Sequence, residues 1–274
     1  MIEIPEGMVL AEQLDKELKN KRIKCVIADS TPHKFTWYEG NPADYEALFQ
    51  GKEVEGAYSY GGKLYIKLNE DCEFMFCEGT NIRYYVDDHK LPEKHQLFIA
   101  FDDSTYLICS VRMYGAIYGY RGILDNEYDK IARIKPSVFS DEFDLDYFRG
   151  LLAAVNKPKL SAKTFLATEQ RIPGLGNGVV QDILFNAGIH PKRNMETLST
   201  LDMEKLFYAT KDTILEMTQK GGRDAEKDIY GNPGGYKTIM SKNSYKEPCP
   251  RCGGEIKKES YMGGSVYYCK GCQV

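Results

Sequence analysis

Leu10, Leu14 and Leu18 recur at helical spacing behind Pro5 and Glu6, which predicts a helix that starts near the amino end and fades at Asn20. From Ile23 to Tyr120 the texture changes. Short β-rich runs occupy 63–68, 73–77, 82–86, 97–101 and 105–110. Turn residues divide them: Gly61-Gly62 before the first, then Asn69-Glu70-Asp71 and Asp102-Asp103-Ser104. These runs predict an antiparallel β-sandwich capped by the first helix, with Trp37 and the many tyrosines packed inside it. Residues 121–147 are polar and acidic, the texture of an interdomain linker. From Tyr147 apolar positions return to helical spacing and predict helices over 147–156, 161–169, 177–187 and 200–219. A stretch rich in glycine, 219–236, follows. At the carboxyl end two polar and aromatic strands, 255–261 and 266–269, flank Met262-Gly263-Gly264-Ser265 and predict a hairpin. The expected organisation is an α+β multidomain chain. A helix and β-sandwich fill 1–120, a linker 121–147, a helical domain 148–228 and a hairpin unit 229–274.

The length of 274 residues suits two domains, and 42% apolar against 28% charged residues is an ordinary globular mixture. No apolar run approaches the roughly 18 residues of a membrane span. The start, MIEIPEGMVL, lacks the basic and apolar regions of a secretion signal, so the cytoplasm is the expected compartment. Nothing in the pattern demands more than a monomer. The net charge of −4 argues against a generic nucleic-acid binder, but it is unevenly spread. Residues 1–150 carry 27 acidic and 18 basic side chains, whereas 151–197 carry 3 and 6, and 229–274 carry 3 and 7. Such basic segments are either solvated faces or a local surface for phosphates, which total charge does not forbid.

Cys25, Cys72, Cys77 and Cys109 are scattered among apolar residues and read as small buried hydrophobes in a reducing compartment. Cys249, Cys252, Cys269 and Cys272 differ. They form two C-x-x-C pairs separated by sixteen residues, the spacing of a structural zinc site. Four thiolates leave no open position for chemistry, and the ion replaces the core that so short a hairpin lacks. Two disulfides are the alternative, and they need an oxidising compartment. Upstream, Pro173-Gly174-Leu175-Gly176 makes a tight turn between one helix and another that begins at Asn177 and stops at Gly188. Backbone N–H groups at Gly174 and Gly176, beside a helix N-terminus, suit a phosphate oxygen, although a glycine-rich turn is often only a turn. Asn177 is either a plain cap or also a phosphate donor.

A helix–two-turn–helix segment followed by a four-cysteine hairpin, behind an amino-terminal helix and a β-rich half, resembles the formamidopyrimidine-DNA glycosylase/endonuclease VIII (Fpg/Nei) family. The resemblance spans the chain. It is strongest over 171–191 and 230–273, and Glu3, Pro5, Glu6, Gly62-Lys63, Lys94-His95 and Arg112 anchor the first half. It implies a base-flipping repair fold that kinks DNA between two domains and fills the gap with side chains. In that family an amino-terminal proline attacks C1′ of the damaged nucleotide, and a Schiff base permits strand elimination. By resemblance, Glu3 and Glu6 take the acid–base positions and Lys63 the phosphate-binding turn. Arg112 and Tyr114 take two of three wedge positions.

The departures are specific. The nucleophilic proline is replaced by Ile2, the third wedge residue, normally Met, by Glu78, and the arginine at the hairpin tip by Gly264. Lys257, Lys258 and Lys270 stand near that tip as substitutes, though a lysine does not reproduce a bidentate arginine fork. Taken singly, Lys63 could be a solvated turn lysine, Arg112 a surface ion pair, Glu3 a helix-start carboxylate and Tyr114 strand packing. The favoured expectation is a DNA-binding member that recognises damaged, kinked or branched duplexes, with the proline chemistry absent or weak. An active glycosylase and AP lyase, using the terminal amine or Lys63, is the alternative. A zinc-ribbon protein-interaction module would explain the cysteines but not the glycine turn.

Overall fold

A computed structural model describes residues 1–155 and 159–274. Helix α1 (Ile4–Leu18) opens at Pro5, and the Glu3 amide donates to the Glu6 carboxylate 3.2 Å away, so the first turn is closed by its own side chain. Leu10, Leu14 and Leu18 form its buried stripe. They rest on a sandwich of nine strands: β1 (Ile23–Ala28), β2 (Thr36–Tyr38), β3 (Val54–Tyr60), β4 (Lys63–Leu68), β5 (Cys72–Phe76), β6 (Thr80–Tyr85), β7 (Leu97–Phe101), β8 (Tyr106–Val111) and β9 (Gly115–Arg121). One sheet runs β1-β7-β8-β6, the other β2-β9-β5-β4-β3. Val26, Ile82, Ile99 and Leu107 of the first meet Ile66, Phe74, Phe76 and Ile117 of the second in one core. Pairing is antiparallel except for β2, which lies parallel to β9. Trp37, on that edge strand, is half-exposed and so does not pack the sandwich.

A short helix, α2 (Tyr45–Phe49), seals one end of the sandwich. The segment 121–147, expected as plain linker, contains α3 (Glu127–Ile134), which Asn126 caps. The Tyr65 hydroxyl donates to Asp129 at 2.5 Å, and Arg133 pairs with Asp129 and Glu73, so this helix is pinned to the five-stranded sheet. The second half packs α4 (Leu145–Ala153), α5 (Ala162–Ala167), α6 (Asn177–Ala187) and α7 (Thr200–Gln219) around Phe148, Phe165, Val179, Ile183, Leu206 and Ile214. Helices α6 and α7 keep their expected bounds. The helix expected over 147–156 starts two residues earlier because Asp144 caps it, and its expected last residue lies outside the described residues. Helix α5 stops short of 169 because Thr168 is extended and Glu169 and Gln170 are left-handed. Strands β10 (Ile256–Tyr261) and β11 (Gly264–Cys269) form the hairpin. Its two-residue turn, Met262-Gly263, has positive φ at both positions, as a tight hairpin of right-handed twist requires. Among the described residues no helix is long and apolar enough to cross a membrane.

The two halves are tied together. Ile4, the first residue of α1, is buried in the core of the helical half, and its amide donates to the Gly174 carbonyl at 3.2 Å. In return the glycine-rich stretch after α7 crosses to the sandwich. Ile229 is fully buried in the sandwich core, the Tyr84 amide donates to its carbonyl at 2.9 Å, and its own amide donates to Gln13 at 3.2 Å. The Tyr230 hydroxyl adds a bond to Glu17. Truncating this anchor leaves a hole that the sandwich cannot close from its own residues. Ile229→Ala should destabilise the protein by about 2–5 kcal/mol in urea unfolding, the cost of a core isoleucine truncation. A loss below about 0.5 kcal/mol, the level of a surface change, would show that the strap is not part of the core.

Candidate nucleic-acid interface and metal centre

The amino end folds back into the centre of the molecule. Ile2, at the nucleophile position, is 5% exposed and belongs to the sandwich core. Glu3 and Glu6 are equally buried, and one side chain joins them: Arg223, in the turn after α7. Its Nη1 donates to Glu3 Oε1 at 3.1 Å. Its Nε, Nη2 and backbone N–H donate to the two oxygens of Glu6 at 2.7–3.1 Å. Nη2 also reaches the Met1 carbonyl. Gly178 lies so close to the guanidinium that a Cβ there would stand 1.7 Å from Nη1.

Glu3 has further partners. The amides of Gly176 and Val179 donate to Oε2 at 3.0 Å and that of Gly178 to Oε1 at 2.9 Å. A carboxylate offers about four lone-pair sites. Arg223 and three amides fill them on Glu3, and Arg223 with the Glu3 amide fills them on Glu6. Burial pushes the Glu3 carboxyl above its ordinary value, while Arg223 and the amides of Val179 and Gly178 pull the other way. Burial acts on Glu6 as well, but its denser bonding to Arg223 leaves that carboxyl below its ordinary value. Burial also opposes the charge on Arg223, yet the two carboxylates hold it well above the usual guanidinium range.

This geometry corrects two expectations from sequence. The Gly176 amide does not stand open to phosphate, because Glu3 caps the N-terminus of α6 from inside the protein. Gly174, with φ +76°, is pressed on the Gly61-Gly62 turn, where a Cβ would come within 2.1 Å of the Gly61 carbonyl carbon. Asn177 is the exposed side chain at this turn. Lys63, which the resemblance puts in a phosphate-binding turn, is likewise turned inward. It is 6% exposed, and its ammonium donates to the Tyr128 carbonyl at 3.1 Å.

A cleft of about 460 Å³ opens beside the amino end. Met1, Ile2, Glu226, Arg83, Arg112 and Tyr114 are among the residues that line it. The terminal ammonium pairs with Glu226. Arg112, Met113 and Tyr114 are exposed on the turn between β8 and β9. Gly79, with φ +85°, supports that turn so closely that a Cβ would overlap the Tyr114 carbonyl oxygen at 1.8 Å. Glu78 sits half-buried next to it. Burial lowers the Arg83 guanidinium, and the neighbouring Arg112 adds to this against the pull of Tyr85 and Asp228.

The four hairpin cysteines converge. Their sulfurs lie within 4.8 Å of one another, with Cys249 to Cys272 at 3.8 Å and Cys252 to Cys269 at 3.4 Å, and none is in a disulfide. Tetrahedral thiolates at about 2.3 Å from one zinc stand about 3.8 Å apart, so the cluster fits a closed four-sulfur metal site. The hairpin is seated on α6. Gln181, 3% exposed, donates from Nε2 to the Ser265 carbonyl at 3.0 Å and to Asn177 Oδ1 at 3.1 Å, and accepts the Tyr267 amide at 3.1 Å. Lys163, also buried, donates to the Tyr261 carbonyl at 2.8 Å. Lys258 is exposed with its ammonium 5.5 Å from the Tyr245 ring centre, Lys257 pairs with Glu255, and Lys270 is exposed. A Cβ on Gly264 would rest 3.7 Å from the Asn177 amide.

Sequence reasoning missed Arg223, Gln181 and Glu226. A buried Arg223 could have been suspected only from two acids one helical turn apart that lack a cation nearby in sequence. Removing it strands two buried carboxylates. Arg223→Ala should therefore cost about 3–5 kcal/mol in denaturant unfolding, and Arg223→Lys should fail to rescue it for want of the fork.

Residues 134–227 match the formamidopyrimidine-DNA glycosylase H2TH domain. Over the whole chain the sequence is 27% identical to the formamidopyrimidine-DNA glycosylase of Shouchella clausii, across 99% of that protein. The same protein of Bacillus licheniformis is also 27% identical, again over 100% of this chain and 99% of its own length. The fold matches the crystal structure of the MutM (Fpg) protein of Thermus thermophilus with a TM-score of 0.81 at 20% identity, over 99% of this chain and 98% of that one. It matches Lactococcus lactis Fpg, in complex with DNA containing an abasic site, with a TM-score of 0.83 at 22% identity over 99% of both chains.

Proposed function

Because the chain belongs to the formamidopyrimidine-DNA glycosylase/endonuclease VIII family, we propose that it binds damaged, kinked or branched DNA while the family's proline-based glycosylase and lyase chemistry is absent or weak. The observation that carries this reading is the saturation of Glu3. A carboxylate with all its lone pairs engaged and 4% exposure has no site left for moving a proton to or from a substrate. The residue in the attacking position beside it, Ile2, has no nucleophilic side chain and serves the core. The alternative amines are engaged as well: Lys63 on the Tyr128 carbonyl and the terminal ammonium on Glu226.

The grip, by contrast, keeps two wedge residues and a set of basic side chains. Tyr114 and Met113 stand on a braced, exposed turn at the cleft, where an aromatic face can stack on a base exposed by a kink. Arg112, Arg83 and Lys242 line the same cleft and supply positive charge for a sugar–phosphate backbone. Asn177 on α6 and Lys257 and Lys258 on the hairpin offer further polar and basic groups for the backbone. A duplex that is already unstacked at one point costs less to bend onto such a wedge. The ion held by Cys249, Cys252, Cys269 and Cys272 is zinc in this reading, bound in a reducing compartment such as the cytoplasm, and the protein acts as a monomer.

The test separates grip from chemistry. Binding to duplex carrying an abasic site should be readily measured at low salt and should weaken steeply as salt rises, because it is a grip on phosphates. Borohydride added to the same complex should trap little or no covalent adduct. A strong adduct would assign the chain to the active enzymes, and salt-insensitive binding would remove DNA as the partner. Chelation of the metal should melt the hairpin, seen as lost amide protection across β10 and β11 with β7 and β8 still protected, and should abolish DNA binding.

A further inference from the structure

We propose that Gln181 is a positioning residue that turns the Asn177 amide so that it donates to a nucleic-acid phosphate, and that it does so only while the hairpin is in place. This rests on the DNA-binding reading above. Asn177 is exposed at the first position of α6, and Gln181 lies one turn later on the same face, buried beneath the hairpin.

The bonds fix which way the Asn177 amide faces. Its Oδ1 accepts from Gln181 Nε2 at 3.1 Å, and its Nδ2 donates to the Ser265 carbonyl at 3.3 Å. Gln181 itself cannot be reversed without loss. Its Oε1 accepts the Tyr267 amide, and its Nε2 is shared between Asn177 and the Ser265 carbonyl. A side-chain amide has two N–H donors. One of those on Asn177 is spent on Ser265, and the second belongs to an exposed group at the end of a basic surface. Were the Asn177 amide to flip, its oxygen would take the outer place and repel a phosphate oxygen. Two of the three atoms that prevent the flip belong to β11, which ends on Cys269. The orientation of a donor on α6 is therefore set through a strand that the metal site holds together. Gly264 completes the arrangement. Without a side chain, the hairpin tip leans on the Asn177 amide and leaves its outer edge open.

Four proteins tested on one gapped duplex at fixed salt decide the matter: wild type, Asn177→Asp, Gln181→Met and the double variant. Asn177→Asp keeps the acceptor that Gln181 bonds and removes the donor, and its exposed position leaves folding unthreatened. Each single variant should weaken binding about tenfold, the effect of one hydrogen bond to a charged group. The double variant should be no weaker than Asn177→Asp alone, since Gln181 acts through Asn177. The Asn177 side-chain amide resonances should move in Gln181→Met without DNA, and move likewise when zinc is stripped from the wild type. The resonance shifts report loss of the bonds that hold the Asn177 amide; a structural role of Gln181 independent of Asn177 would instead multiply the losses in the double variant. Wild-type affinity in Gln181→Met, multiplicative losses of about a hundredfold in the double variant, or unmoved amide resonances would each overturn the proposal. A harmless Asn177→Asp with salt-sensitive wild-type binding would overturn it and leave the proposed function standing. No binding by the wild type would sink both.

Discussion

The Glu3–Arg223–Glu6 knot is the constraint on which the rest of the molecule depends. Three ionisable groups are buried together at the junction of two cores, and burying such groups is tolerable only when every lone pair and donor finds a partner. Here the partners come from everywhere in the chain. Glu3 and Glu6 belong to the first turn of α1, Arg223 to the turn after α7, and the three amides to the start of α6. Satisfying the knot therefore assembles the amino end, the helix–two-turn–helix element and the glycine-rich stretch at once. The same bonds that hold the fold also engage every acceptor site of the Glu3 carboxylate.

The knot also explains why the glycine-rich turn is not an anion site in its own right. A helix N-terminus seeks negative charge, and α6 already has it, supplied internally by Glu3. What faces solvent there is the side chain of Asn177, flanked by the side-chain-free Gly264 at the start of β11. Positive charge is instead spread over arginines and lysines that line the cleft and stand on the hairpin. No single nest of backbone amides supplies it.

Much of this architecture was legible in the sequence, and the parts that were share a property: they are local. The bounds of α6 follow from a glycine turn at one end and Gly188 at the other, those of α7 from Ser199 and its periodic apolar face. The cysteine quartet announces itself by spacing. Strands β4 and β7 carry dense apolar runs. By contrast β3, with its glycine and tyrosines, and β9, with two glycines, lack an apolar alternation, and they are strands because their neighbours pair with them. The partners of the candidate site residues are hidden for the same reason. Lys63 reads as the lysine of a phosphate-binding turn, and nothing near it in sequence shows that the Tyr128 carbonyl of the supposed linker lies over it. The groups that bond Glu3 lie more than 170 residues away. No window of sequence contains both.

Ile229 joins the sandwich core from outside the sandwich's own stretch of chain. The sandwich is drawn almost entirely from the first 121 residues, yet one of its fully buried side chains comes more than a hundred residues later, after the last described helix. The interior of the first half is therefore complete only when the far end of the chain is present. Ile229 makes the sandwich core a long-range structure, closed by a residue that no truncation at the end of its own strands would retain.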